Sequence, residues 1–261
     1  MKIGFLGPVG TFSYEVAKNN FKEQELIEYR TISETIDGLI DNQIDRAIVP
    51  IENSLQGGVI ETIDKLIQND GIFVNKEIIF KINQNLIANK KYKLGEICKI
   101  YSHPQAIGQC KNYIENNLKN TQIIQVSSTA LAAKEIKTKD YSACIASYSC
   151  IEEYGLTLLD KNIQDNDLNK TKFWILSKMQ NLEGNKMSLI FSVKDKPGAL
   201  YKILGIFFEN NINLTKIESR PAKTELGSYI FLVDLEINNK IDDTIEKLSK
   251  ECNYLKILGK Y

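Results

Sequence analysis

The chain has 261 residues, 43% of them hydrophobic and 25% charged, a soluble globular composition with apolar material for roughly two domains. Lys plus Arg and Asp plus Glu stand at 33 each, so there is no basic excess to hold nucleic acid, and any anion site must be local. A single histidine, His103, excludes a His-based metal site, and no metal or cofactor is expected.

The first part alternates strand and helix. KIGFL is a short apolar run from Lys2, and GTFSYEVAKNNF carries Phe12, Val16 and Ala17 at helical spacing. ELIEYR is strand-like, and SETIDGLIDN is helical, opening on a Ser33 cap. RAIVPI is a buried strand and GGVIETIDKLIQ a helix, so a parallel sheet covered on both faces is expected. Ile72 to Ala88 is extended and crosses between lobes. Alternation then resumes with KIYS and PQAIGQCKNYIENNL, QIIQVS and STALAAKEIK, SACIAS and YSCIEEYG, then LTLLD and the buried strand Phe173 to Leu176. Two α/β lobes result, roughly 1–75 plus 160–180, and 76–159. Gly184 and Asn185 mark a linker. From 186 to 261 the order is βαββαβ, the ferredoxin-like pattern, with Pro197 just inside its first helix and Asn210-Asn211 ending it. Met1 runs straight into a strand with no leader-like segment, no apolar run nears the roughly 20 residues of a membrane helix, and the five cysteines never form CxxC. A cytoplasmic protein with reduced thiols is the expectation.

Four strand-to-helix junctions share one chemistry: GPVGTFS (Gly7 to Ser13), ENSLQGG (Glu52 to Gly58), SHPQA (Ser102 to Ala106) and SSTA (Ser127 to Ala130). Each puts Ser, Thr, Asn or Gly where free backbone N–H groups begin a helix, and such ends bind anions. One junction alone is a cap; four, with Lys172 in NKTKFW, predict a cleft for a small carboxylated ligand. Glu52 reads either as a structural carboxylate holding its turn or as an orienting group in the floor of a site. His103 reads as a satisfied polar residue, with ligand contact the second option. Asn169 suits a strand start, and Thr171 between two lysines is either a solvated edge residue or aimed at an anion. In the last domain, PGAL (Pro197 to Leu200) and ESRP (Glu218 to Pro221) face one end, where a second copy could enclose a small ligand.

In this order, GPVGTFS, VPIENSLQGGV, SHPQA, SSTALAA, IQDNDLNKTKF, PGALYKIL and ESRP resemble prephenate dehydratase with a C-terminal ACT regulatory domain, over essentially the whole chain. The resemblance implies a two-lobed catalytic region like a periplasmic binding protein, over 1–180, and an ACT domain over 186–261. It implies cofactor-free conversion of prephenate to phenylpyruvate in phenylalanine biosynthesis, feedback by L-phenylalanine, and a homo-oligomer (a dimer or a dimer of dimers). The family's threonine-arginine-phenylalanine signature falls on Thr171, Lys172 and Phe173, with lysine in place of arginine and therefore a less oriented grip on carboxylate.

On this resemblance Thr171 donates to the departing hydroxyl and Glu52 belongs to a proton relay. Gly10, Thr11, Asn53, Ser54, His103, Ser128, Thr129, Asn169, Lys172 and Phe173 contact substrate. Gly198, Ala199, Leu200, Asn213, Glu218, Ser219 and Arg220 hold L-phenylalanine. The rivals are an arogenate dehydratase, a catalytically silent amino-acid sensor and a generic two-lobed binding protein.

Overall fold

The apolar runs and helical spacings become elements in the order in which they occur. The computed structural model describes residues 1–222 and 229–261. The chain opens with β1 (Lys2–Leu6), α1 (Phe12–Asn20), β2 (Glu25–Tyr29), α2 (Ile32–Ile40), β3 (Arg46–Asn53), β4 (Gly57–Gly58), α3 (Ile60–Gln68) and β5 (Phe73–Lys81). It continues with β6 (Asn85–Ala88), β7 (Lys99–Ser102), α4 (Pro104–Gln109), α5 (Lys111–Asn117), β8 (Gln122–Gln125), α6 (Thr129–Ile136), β9 (Ser142–Ala146), α7 (Ser149–Tyr154) and β10 (Thr157–Asp160). After β11 (Lys170–Ser177) come β12 (Lys186–Ser192), α8 (Ala199–Glu209), β13 (Leu214–Pro221), β14 (Tyr229–Glu236), α9 (Ile241–Glu251) and β15 (Tyr254–Lys260). Gly227 and Ser228, read from sequence as the start of an ACT strand, lie outside the described residues.

Three sheets organise these elements: β2-β1-β3-β11-β5 with β4 beside β3, then β10-β6-β9-β7-β8, then β13-β14-β12-β15. The first two are mixed, not parallel throughout. β1 runs parallel to β2 and β3, but β11 returns antiparallel between β3 and β5, and β6 is antiparallel to β9. The cause is the double crossing between lobes, which sends strands back against those already laid down. It also moves the lobe boundary. β5 pairs with β11 from Phe73 to Lys81, so the chain leaves the first lobe at 82–84, not at 76, and β10 still belongs to the second.

Local chemistry corrects three more expectations. The α2 cap is Thr31, whose hydroxyl accepts from Glu34 N at 3.0 Å, rather than Ser33. Gly57-Gly58 pair as a strand with Asn53 and Glu52, and α3 starts only at Ile60. Pro197 stands before the helix: Gly198 is the cap of α8, at φ +81.

The third sheet has two apolar faces. Met187, Leu189, Phe191 and Val233 pack on α8 and α9. Ile190, Leu232 and Leu258 point the other way and share a core with Leu66, Val74 and Trp174 of the first lobe. Each of these burials is worth about 2 kcal/mol, so the third sheet is packed onto the first lobe rather than tethered to it. Among the described residues, no helix is long and apolar enough to cross a membrane.

Candidate active site

The strand pair β3–β11 carries the centre of the site. Antiparallel pairing sets Thr171 opposite Asn53 and Lys172 opposite Glu52, then slips so that Phe173 faces Pro50. Ile51 is therefore an extra residue, a bulge. In a regular strand Pro50 and Asn53 would point to opposite faces. With the bulge both line one cavity of about 310 Å³ between the lobes, together with Thr171 and Phe173.

Asn53 fixes the direction of the hydrogen bonds there. Its Oδ1 accepts from Leu55 N at 3.0 Å, and a backbone amide can only donate. Its Nδ2 therefore faces the other way and donates to Thr171 Oγ1 at 2.9 Å and to Asn169 Oδ1 at 2.9 Å. Thr171 Oγ1 is thus an acceptor toward Asn53, which leaves the hydroxyl proton for a group in the cavity. Thr171 and Asn53 are each 8% exposed, so the pair lies at the floor of the cleft rather than on its rim.

Three helix N-termini meet the same cavity. Thr11 caps α1, accepting from Tyr14 N at 3.2 Å and donating to Leu6 O at 2.9 Å. His103 caps α4, with Nδ1 accepting from Gln105 N at 3.2 Å, so its neutral ring carries the proton on Nε2. Ser128 caps α6, accepting from Leu131 N at 3.0 Å, and Thr129 follows it into the lining. These ends favour negative charge. Among the described residues lining the cavity there is no Lys, Arg, Asp or Glu. An anion here is met by neutral donors and aligned dipoles.

Several expected residues lie elsewhere. Ser54 Oγ accepts from Lys170 N at 3.0 Å and donates to Leu168 O at 3.2 Å, holding the loop and not the cavity wall. Asn169 is 1% exposed and stands behind Asn53. The Gly10 carbonyl accepts from Ser147 Oγ at 2.6 Å and Cys150 Sγ at 3.1 Å, fastening the first lobe to the second.

Glu52 and Lys172 are the main corrections. Strand alternation turns both away from the cavity, and Lys172 Nζ lies 3.1 Å from Glu52 Oε2 and 3.4 Å from Asp234 Oδ2. Burial pushes the Glu52 carboxyl up, but Lys216 and Lys172 outweigh it and hold it below its ordinary value. Glu52 is absent from the cavity lining and lies on the opposite face of the strand from the Thr171 hydroxyl, so the geometry gives it no place in a relay through that hydroxyl. Lys172 likewise has no contact with the cavity.

Sequence reasoning missed Gln84 and Gln109, and held Gln105 and Ser127 only as members of their junctions; all four are in the lining. Gln84 is 2% exposed; its Nε2 donates to Gln109 Oε1 at 3.1 Å, and its Oε1 has no partner among the described residues. The i, i+4 spacing of Gln105 and Gln109 after a strand end was the available signal. Gln84 lies in a connecting segment and carries none.

In the third domain, Ala199 and Leu200 line a cavity of about 140 Å³ with Tyr229 and Phe231, beside Gly198. Asn213 donates to Glu236 Oε2 at 3.0 Å. Glu218 and Arg220 turn to the first lobe instead: Arg220 Nε lies 3.2 Å from Asp64 Oδ1, and Glu218 abuts Gly58. Ser219 points outward, as the strand period requires.

The sequence pattern of prephenate dehydratase matches residues 3–181, and that of the ACT domain matches residues 187–253. The chain belongs to the prephenate dehydratase family. The prephenate dehydratase of Lactococcus lactis subsp. lactis is 39% identical over 273 residues, spanning 100% of this chain and 97% of the relative. Among solved structures, the Arthrobacter aurescens prephenate dehydratase in complex with L-Phe superposes with TM-score 0.91 at 30% identity, covering 99% of this chain and 89% of that one. The Staphylococcus aureus prephenate dehydratase gives TM-score 0.88 at 32% identity, covering 100% of both chains. The two lobes followed by an ACT sheet are thus the family's architecture.

Proposed function

We propose that this chain converts prephenate to phenylpyruvate, water and carbon dioxide in phenylalanine biosynthesis, and that L-phenylalanine acts on it through the ACT domain. The observation that carries the reading is the Asn53 Nδ2 to Thr171 Oγ1 bond at 2.9 Å inside a cavity edged by three helix N-termini. Prephenate is a dianion. Its carboxylates find the ends of α1, α4 and α6, with Thr11, Ser128 and Thr129 beside them. The ring hydroxyl then lies toward Thr171.

Loss of carbon dioxide leaves an electron pair that enters the ring, and the carbon–oxygen bond opposite breaks as the ring becomes aromatic. The departing oxygen needs a proton to leave as water, and Thr171 points one at it. As that proton moves, negative charge grows on Thr171 Oγ1, where the Asn53 amide already donates. The hydroxyl is then reprotonated from solvent or through the His103 ring. Phe173 supplies an apolar wall for the ring.

Regulation is supported by the family's ACT domain, by the relative solved with L-Phe, and by the small cavity at Ala199 and Leu200. Homo-oligomerisation belongs to the same reading: α8 leaves Tyr201 and Phe208 80% and 85% exposed, an apolar surface suited to a second copy. So does a cytoplasmic location. The test is to incubate purified protein with prephenate and follow phenylpyruvate absorbance in alkali. Product formation that Thr171→Ala cuts about 100-fold is the expected result; no product from the unaltered protein overturns the reading.

A further inference from the structure

The β3–β11 pair has two faces with different tasks. Asn53 and Thr171 occupy the cavity face; Glu52 and Lys172, the next pair along the ladder, occupy the face against the ACT domain. Lys172 Nζ is 3.1 Å from Glu52 Oε2, 3.6 Å from Glu77 Oε2 on β5 and 3.4 Å from Asp234 Oδ2 on β14. An ammonium has three hydrogens to donate, and three carboxylates surround this one. Lys216, on β13, places its Nζ 3.5 Å from the same Glu52 oxygen and 3.1 Å from Glu218 Oε2.

The cage is buried at its ACT end and open at its rim. The Asp234 side chain is 2% exposed, that of Lys216 7% and that of Lys172 20%, whereas that of Glu52 is 34%. Asp234 is braced from behind, where Ser188 donates to its Oδ1 and lies 2.6 Å from the Tyr261 hydroxyl. Lys186 of β12 also lies 2.7 Å from Glu77 Oε1, so the ACT domain supplies two cations, Lys186 and Lys216, and two anions, Asp234 and Glu218, to the network around both residues adjoining the reactive pair. Removing one member of such a network leaves a buried charge without its partner. The strand must then move to relieve it, and small displacements at a reacting group cost rate.

We infer that Lys172 and Glu52 are positioning residues and that Asp234 and Lys216 of the ACT domain complete them, so that the docked ACT sheet holds Thr171 in working register with Asn53. The inference deepens the proposed dehydratase activity and rests on it only for its kinetic readout. A second readout is independent of activity: Trp174, the one tryptophan, is fully buried two residues along β11 and lies 6.4 Å from the Tyr261 ring.

The test compares Lys172→Met, Lys172→Arg and Asp234→Asn with the unaltered protein, by kcat and KM for prephenate and by Trp174 emission. Lys172→Met and Asp234→Asn are each expected to lower kcat about 10-fold or more, with KM within about 2-fold, and to shift the emission. Lys172→Arg restores kcat to within about 3-fold, because the charge is kept. A rise in KM at unchanged kcat would make Lys172 a substrate-binding group and overturn the inference. So would an Asp234→Asn protein with normal kcat and emission. If the unaltered protein makes no phenylpyruvate, the functional reading fails alone, and the emission of folded Asp234→Asn decides the positioning role. Should Lys172→Met not fold, Lys172→Arg and Asp234→Asn carry the comparison.

Discussion

Asn53 and Thr171 face each other across two antiparallel strands, with 2.9 Å between the amide nitrogen and the hydroxyl oxygen. The amide can only give a hydrogen bond on that side, because its oxygen is already taken by Leu55 N. The threonine is thereby a donor toward the cavity, and the first prediction tests that polarity. Asn53→Asp keeps the shape but replaces the donor with an acceptor, which turns the Thr171 proton back toward residue 53. We expect turnover to fall about 100-fold, as in Thr171→Ala, while Thr171→Ser keeps most of it. Steady-state kcat for the three proteins checks this.

A latch between the lobes gives the second prediction. Lys18 of α1 lies 2.7 Å from Glu153 Oε1 of α7, and the Tyr14 hydroxyl donates to the same oxygen at 2.6 Å. Burial pushes the Glu153 carboxyl up, but Lys18 and Tyr14 outweigh it, so it is held below its ordinary value. A depressed carboxylate stabilises the fold above its unfolded pKa and loses that contribution as pH falls through its lowered folded value. Stability from this group is therefore constant above about pH 5 and declines below the usual glutamate range. Glu153→Gln is expected to lower Tm at neutral pH and to flatten the acid limb of a Tm-against-pH curve.

The third concerns Gly58, where a Cβ would collide with the Glu218 carboxylate of the ACT domain. Gly58→Ala displaces that carboxylate from Lys216, for a loss of about 1 kcal/mol in denaturant unfolding. In a Glu218→Ala background the same substitution is nearly neutral, because the obstacle is gone. Four unfolding curves complete the cycle.

Leu232 supplies the fourth. It is 1% exposed and packs into the first lobe's core from the ACT side. Leu232→Ala should destabilise by about 2–4 kcal/mol, and the loss should appear in the same cooperative transition as Leu66→Ala, a residue of the first lobe. Two separated transitions would show that the domains unfold independently.

The order of elements could be read from periodicity because each strand and helix follows its own apolar pattern. Three of the helix ends and the turn that holds Asn53 could be read because caps and turns have local chemistry; Thr171, inside a strand, was left open by its local pattern and singled out only by the family resemblance. Glu52 and Lys172 were misplaced for a reason within reach: alternation from Asn53 and Thr171 already turns both to the other face. The bulge at Ile51 had one local mark, Pro50 inside a strand that proves central, and the register against β11 locates it. Gln84 had no such mark. A neutral amide in a connecting segment has meaning only once Gln109 is beside it.

The lining without a formal cation has a bearing on release. Prephenate arrives with two negative charges; phenylpyruvate departs with one, and the other products are neutral. A site that attracts through dipoles weakens its hold as its occupant is discharged, and it has no lysine or arginine to clasp the remaining carboxylate. The reaction thus loosens its own product, and the cleft empties because the chemistry has spent half of what kept it filled.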